Sequence, residues 1–125
     1  MDLTRYDTRE KAHEGVDVPL IIDGETIIGD DDEPVTFRLR GIADPDVHRV
    51  ILGLRRGDSR TPAEVLENDM RLARVAVAGW SGNWSLAGRK VPYSREGIAE
   101  VFAVPTIRRA VLAEVLEDSH FMNGS

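Results

Sequence analysis

Residues 35–40 alternate strictly between apolar and polar side chains, and this period of two predicts a β-strand with one buried face. In residues 16–22 every second position, starting with Val16, is apolar, which places these side chains on one face of a strand. Pro19 in this segment favours a strand at the edge of a sheet, where its missing N–H breaks no ladder hydrogen bond. The expected inward-facing residues are Val16, Val18, Leu20, Ile22, Val35, Phe37 and Leu39. The front of the chain therefore predicts a small antiparallel sheet of two to three strands with one solvated face.

Two polar turns separate these predicted strands. Asp23–Gly24 is a dipeptide typical of a tight hairpin turn, and the return strand would begin at Glu25. The second turn, residues 29–34, reads Gly-Asp-Asp-Asp-Glu-Pro. It lacks the alternating ligands and the closing Glu of a calcium loop, so we interpret it as a solvated turn rather than a cation site.

Beyond these strands the apolar residues recur every three or four positions, which predicts helices. Asp44 and Pro45 are expected to serve as the N-cap and the first residue of the first helix. Its apolar stripe comprises Val47, Val50, Ile51 and Leu54. A second helix opens with Thr61 and Glu64, which form the two ends of a capping box. It is predicted to continue through Met70, Ala73 and Val77 to Gly79, and its Ala- and Val-rich second half suits close burial.

Two more helices are expected in the last third of the chain. Ser94 is the predicted N-cap of the third, which should end before Pro105, and the fourth is predicted over residues 106–122. The fold class is therefore α+β, with a small N-terminal antiparallel β-sheet packed against about four α-helices and a helical C-terminal half.

The connector between the second and third helices holds both tryptophans of the chain, Trp80 and Trp84. Ala87–Gly88 predicts a tight turn within it. We expect Trp80 to be buried in the core, with its indole N–H donating to a loop carbonyl. Trp84 lies farther out in the loop, and we consider it either packed or an anchor for a partner, since Trp is enriched in binding hot spots.

The fourth predicted helix carries the widest apolar stripe. A helix at the surface of one small domain needs a stripe only about 100° wide, and this one is broader. We expect the excess to bind a partner helix or a second copy of the chain. The alternative, that the whole stripe is core, stays open. The candidate partner-binding residues are Trp84 and, on this helix, Ile107, Val111, Leu112, Val115 and Leu116.

Length and composition favour a single domain. The 125 residues suffice for one modest core, which we assign to residues 15–125 after a polar, flexible arm at 1–14. The net charge of −6 disfavours non-specific nucleic-acid binding, and the lack of Cys excludes disulfides and the usual zinc sites. No apolar run resembles a signal peptide or a membrane span, so we expect a cytosolic protein without membrane contact.

No group of residues has the spacing of a catalytic or metal-binding set. The three histidines lie in different predicted elements, and the serines near the tryptophans do not lie in a nucleophile elbow. These residues are His13, His48, His120, Ser81, Ser85 and Ser94. Arg55, Arg56 and Arg60 form a basic cluster that suits a helix end or, alternatively, a partner contact. We therefore predict a protein that is not an enzyme and has no cofactor or metal.

The order of these features resembles the tail assembly chaperones and related tail assembly proteins of long-tailed bacteriophages and prophages. The shared features are a helix leading to Gly-Trp, a short turn with a Gly, a Pro-aromatic-Ser helix start and a Phe near the end. Here they correspond to Gly79, Trp80, Gly82, Gly88, Pro92, Tyr93, Ser94 and Phe121. The resemblance covers the chain from about residue 16. Many members have Phe at the position of Tyr93 and Asn at that of Gly97.

This resemblance implies a function in assembly rather than catalysis. The protein would bind the tape-measure protein, with the tail tube protein as a further expected partner. It would work in the cytoplasm of the bacterial host and be absent from the finished virion. Three alternatives stay open: a structural virion component such as a head–tail connector or tail completion protein, a small enzyme, and an inhibitor of a host defence system.

Overall fold

The computed structural model describes residues 13–54 and 61–117, in which strands precede most of the helices. The strands are β1 (Val16–Pro19), β2 (Ile21–Ile22), β3 (Glu25–Thr26), β4 (Thr36–Leu39) and β5 (Val77–Trp80). The helices are α1 (Pro45–Leu54), α2 (Pro62–Ala76), α3 (Arg95–Phe102) and α4 (Pro105–Val115). The predicted α+β architecture, with strands at the front and helices in the C-terminal half, is confirmed.

The main sheet has three antiparallel strands in the order β1-β4-β5. The predicted alternation around β4 is confirmed, because Phe37 and Leu39 are buried while Arg38 is exposed and forms an ion pair with Asp17 at 3.1 Å. Pro19 ends β1, which is an edge strand as predicted. One face of the sheet therefore meets the core and the other meets solvent.

The first predicted strand is divided in two. Leu20 donates its backbone N–H to the carbonyl of Val35 and accepts from the N–H of Ile27, so the chain passes there from the main sheet into the β2–β3 hairpin. The prediction of one continuous strand over residues 16–22 is therefore wrong. The predicted hairpin turn is confirmed, since Asp23 and Gly24 have φ values of 52° and 79°, as a tight hairpin turn requires.

The second helix is shorter than predicted, because it ends at Ala76 and the next four residues form β5. The N–H of Arg40 donates to the carbonyl of Ala76 at 2.6 Å, and the N–H of Ser81 donates to that of Thr36 at 2.9 Å. The backbone groups of residues 77–80 thus pair with the open edge of β4. In a longer helix they would instead form hydrogen bonds within the helix. Gly79 and Trp80, predicted to end a helix, instead end an edge strand.

All three predicted N-caps are confirmed. A side-chain oxygen of Asp44 accepts the N–H of Val47 at 3.2 Å, and Thr61 accepts that of Glu64 at the same distance. Ser94 accepts the N–H of Gly97 at 2.9 Å. Each cap satisfies a backbone donor that the first helical turn leaves without an internal partner.

The core lies between the inner face of the sheet and the helices, and it forms one apolar cluster among the described residues. Phe37 of the sheet meets Phe102 of α3 edge to face, with ring centroids 6.1 Å apart. Val47, Val101 and Val115 from three different helices are fully buried in the same cluster. Three predicted features lie outside the described residues: the arm up to residue 12, the basic cluster at 55–60, and the segment with His120 and Phe121.

Candidate functional site

The aromatic corner, defined as Trp80, Trp84, Pro92 and Tyr93, is built where β5 ends and the chain turns toward α3. The indole N–H of Trp80 donates to the carbonyl of Val91 at 2.9 Å, as predicted. Its ring meets that of Tyr93 edge to face at 5.2 Å and that of Phe37 at 5.9 Å. The expectation that Trp80 is buried in the core is met only in part, because Trp80 packs against the core but is partly buried.

Trp84 is packed rather than projecting from the loop. Its ring stacks on Phe37 with centroids 6.2 Å apart and an interplanar angle of 27°, and it lies 5.8 Å from Trp80. Its indole nitrogen is buried and has no hydrogen-bond partner among the described residues. The side chain as a whole is partly buried, and the buried N–H is not accessible to a ligand.

Tyr93 closes the corner from the side of the helices. Its hydroxyl donates to the carbonyl of Val77 at 2.6 Å, which satisfies a backbone acceptor of β5. Ser94 then caps α3, and Gly97 in its first turn packs under the carbonyl of Pro92. In this chain, Tyr93 therefore uses its hydroxyl to bond the backbone of β5. Gly97 is required because a side chain there would overlap the carbonyl of Pro92.

Asn83 connects the aromatic corner to the acidic turn, and sequence reasoning did not identify it. Its amide nitrogen donates to a carboxylate oxygen of Asp31 at 2.8 Å and to the carbonyl of Glu33 at 3.0 Å. Its amide oxygen accepts the hydroxyl of Ser81 at 2.7 Å, and its backbone carbonyl accepts the N–H of Asp30 at 2.8 Å. An Asn inside a loop rich in Gly and Ser carries no signal in the sequence that predicts these long-range contacts.

The acidic turn is therefore anchored to the corner rather than merely solvated. The hydrogen bond from Asn83 lowers the pKa of Asp31 below its ordinary range, and the backbone N–H of Glu33 adds to this effect. The ammonium of Lys90 lies 3.2 Å from a carboxylate oxygen of Asp30. The turn itself is exposed as predicted, but its conformation depends on residues that follow β5.

The remaining residues of the predicted corner motif have different environments. Gly88 has a φ of 80° and follows Ala87 at 52°, so the predicted tight turn is confirmed, and a bridge between Leu86 and Arg89 closes it. Gly79 lies within β5, and Gly82 is exposed with open space around it. Pro92 is exposed beside the tryptophans.

The apolar stripe of α4 divides between core and surface. Val111, Leu112 and Val115 are 2%, 8% and 0% exposed, so these three candidate partner-binding residues belong to the core of the described chain. Ile107 is partly buried against the same core. Only Leu116, at 53% exposure, presents a large apolar side chain to solvent.

Leu116 lines a helical groove, an open cavity of about 550 Å³ between α1, α2 and α4. The apolar lining comes from Ile51, Leu54, Leu72, Leu112, Ala113 and Leu116, with Asp69 and Arg109 beside them. On α2, Val65 lies one turn before Asp69 on the same face and is 45% exposed. Val65 thus adds an exposed apolar side chain on α2, one turn away from the groove-lining Asp69.

His13 contacts a buried carboxylate at the base of α1. Its Nδ1 lies 2.7 Å from a carboxylate oxygen of Asp44, which is 1% exposed, while His13 itself is largely exposed. The guanidinium of Arg40 donates to the backbone carbonyl of His13 at 3.0 Å. The segment just before β1 is thus attached to the domain at this point. His48, the other described histidine, lies exposed on α1.

Across residues 13–54 and 61–117, no three His, Asp or Glu side chains lie close enough together to hold a metal ion. None of the helices in that part of the chain is long and apolar enough to cross a membrane.

We compared the chain with protein-family models, with curated proteins and with solved structures. None of the three comparisons finds a match.

Proposed function

We propose that this protein is a tail assembly chaperone of a long-tailed phage or prophage, which binds the tape-measure protein through the helical groove and carries out no catalysis. The tail tube protein is a second expected partner. The proposal starts from the resemblance in segment order. One structural correction applies to it, because α2 leads into Gly79 and Trp80 through β5 rather than directly.

The observation that carries the proposal is the exposed Leu116 beside the groove. A leucine that is 53% exposed at the rim of an apolar cavity offers surface that a partner would remove from water. The groove walls are helices, and their lining residues recur at three- or four-residue spacing along α2 and α4. A helix fits such walls by packing its own side-chain ridges between them.

Charge at the rim favours a particular kind of helix. Arg109 is exposed, lines the groove and has no ion-pair partner among the described residues, whereas Asp69 is paired with Arg108 at 3.4 Å. A helical segment with an apolar stripe and an acidic side chain beside it would bury the leucine and pair with Arg109. Long helical segments of a tape-measure protein supply such stripes.

The experiment is co-expression of the chain with the tape-measure protein encoded in the same genome, followed by pull-down and light scattering. Leu116→Glu is the test variant, because a charge there would oppose burial by a partner while the side chain is outside the core. Leu52→Glu is the matched control, since Leu52 is 48% exposed on α1 but does not line the groove.

We expect Leu116→Glu to lose the tape-measure protein and Leu52→Glu to retain it, with both variants melting like the wild type. Equal capture by both variants would contradict binding through the groove. If the wild type captures no tape-measure protein at all, the chaperone proposal fails. Finding the protein in purified particles would instead support a structural virion component.

A further inference from the structure

The aromatic corner forms one wall of a surface groove that the proposed function does not use. The groove has a volume of about 390 Å³, and its lining includes Trp80, Trp84, Pro92, Tyr93 and Lys90. Tyr93 is 45% exposed, and Pro92 is exposed beside it. Three aromatic rings and a proline ring thus border one open channel.

The hydrogen-bond donors of these rings are already used or inaccessible. The N–H of Trp80 donates to Val91 and the hydroxyl of Tyr93 donates to Val77, while the indole nitrogen of Trp84 is buried. The same bonds hold the Trp80 and Tyr93 rings in place before any ligand arrives. The groove therefore offers rigid apolar ring faces and edges, which suit proline rings better than ligands that need donated hydrogen bonds.

A second, acidic cavity adjoins the aromatic groove. It is lined by Asp30, Asp31 and Glu33, and it shares Ser81, Gly82 and Lys90 with the aromatic groove. The Asn83 hydrogen bonds hold the acidic turn against this side of the corner. Three carboxylates against a single ammonium, that of Lys90, leave the acidic cavity with an excess of negative charge, and Glu33 has no side-chain ion pair among the described residues.

We propose that this combined surface binds an extended, proline-containing segment of a partner protein that also carries arginine or lysine. Proline-rich segments adopt an extended helix without internal hydrogen bonds, and they dock in aromatic-lined grooves with little loss of conformational entropy. Here the proline rings would lie on the faces of Trp80 and Tyr93. The basic side chain would reach Glu33 and the neighbouring carboxylates, since the two cavities share three lining residues. This inference is independent of tape-measure binding by the helical groove.

The chain provides its own optical probe, because both of its tryptophans line the proposed site. The intact chain is titrated with a short capped peptide that alternates proline pairs with arginine, and tryptophan fluorescence is recorded. Amide shifts at residues 80–93 in NMR spectra provide a second measurement. Two control peptides have the same length, one with alanine in place of proline and one with glutamate in place of arginine.

We expect saturable binding of the proline–arginine peptide that weakens as salt is raised, and at least about tenfold weaker binding of both control peptides. Equal binding of the alanine–arginine peptide would overturn the proposal, because charge alone would then explain the contact. Equal binding of the proline–glutamate peptide would overturn it as well. An unchanged fluorescence and unchanged amide shifts with every peptide would also overturn it.

Two charge variants are expected to change the affinity for the peptide in opposite directions. Glu33→Lys should weaken binding by about three- to tenfold at low salt, because it reverses a charge that faces the peptide. Lys90→Met should strengthen binding by about two- to fivefold, because it removes the competing ammonium but keeps an apolar stem. Glu67→Lys on α2 is the control for net charge, since it is exposed and lines neither cavity, and it should leave binding unchanged.

The aromatic contribution is tested by Tyr93→Leu, which removes the ring but leaves an apolar side chain. We expect about tenfold weaker binding. If this variant does not fold, the two charge variants decide the outcome alone. The proposal is overturned if the Glu33→Lys and Lys90→Met variants both bind the proline–arginine peptide as tightly as the wild type does.

Discussion

Gly97 lies directly under the aromatic corner, where a Cβ atom would stand 3.3 Å from Cζ2 of Trp80 and would overlap the backbone carbonyl of Pro92. The first turn of α3 and the residues before it are therefore packed backbone against backbone. This contact fixes the distance between α3 and the end of β5, and with it the position of Tyr93. The position of the aromatic corner thus depends on the close backbone packing at Gly97. It also depends on the hydrogen bonds that Trp80 and Tyr93 donate to backbone carbonyls.

Gly97→Ala is expected to destabilise the fold by about 1–3 kcal/mol, even though Ala is the better helix former, because the carbonyl of Pro92 cannot rotate away as a flexible side chain would. Gly53→Ala in α1 is the matched control. A Cβ there meets nothing within 4 Å, and we expect a gain of about 0.5 kcal/mol or no change. Urea unfolding of both variants measures the difference. If Gly97→Ala and Gly53→Ala lower the free energy of unfolding by the same amount, the packing explanation is contradicted.

Trp80→Ala is expected to cost about 2–4 kcal/mol, since the ring is packed against Phe37 and Tyr93 but is only partly buried. Trp80→Phe retains a ring and loses the N–H bond to Val91, for which we expect about 1 kcal/mol. Denaturant midpoints at an unchanged slope report both values. An Ala variant as stable as the Phe variant would show that the ring contributes little.

Asn83→Ala is expected to raise the pKa of Asp31 toward its ordinary value, because the amide of Asn83 is the largest cause of the lowered pKa. A carboxyl whose pKa is lower in the folded protein contributes stability above its unfolded pKa and loses it as the pH falls through the folded value. The acidic turn should therefore loosen from the corner on acidification in the wild type. NMR titration of the Asp31 carboxyl measures the pKa, and Asp31→Asn is the control that should abolish this pH dependence. An Asp31 pKa that Asn83→Ala leaves unchanged would refute the assignment.

Asp44→Ala is expected to destabilise the protein by about 1–2 kcal/mol, because it removes the cap of α1 and the buried acceptor for His13. Asp44→Asn keeps an oxygen that can accept the N–H of Val47, and it should retain most of the stability. Thermal melts of the two variants and of His13→Ala separate the cap from the His13 contact. If Asn and Ala cost the same, the cap hydrogen bond is not the main contribution.

Features that depend on residues close in sequence were predictable. The caps at Asp44, Thr61 and Ser94 each use a donor three residues ahead, and the turns at Asp23–Gly24 and Ala87–Gly88 need only their own backbone angles. The alternation along β4 sets which side chains face the core, whatever the strand pairs with. These elements follow from local geometry and from the burial of one apolar face.

The sequence by itself therefore determined the α+β class, the helix starts and the buried face of the central strand. Only the tertiary structure decided that Val77–Trp80 is a strand, because the hydrogen bonds that end α2 come from the open edge of β4, far away in the chain. It also decided that Leu112 is core while Leu116 is surface, and that Asn83 joins the acidic turn to the aromatic corner. The apolar stripe of α4 has the same sequence pattern whether a given residue is core or surface, and only the neighbouring elements determine which residues are removed from water. In the same way, the sequence around a loop amide does not indicate which distant groups it will contact.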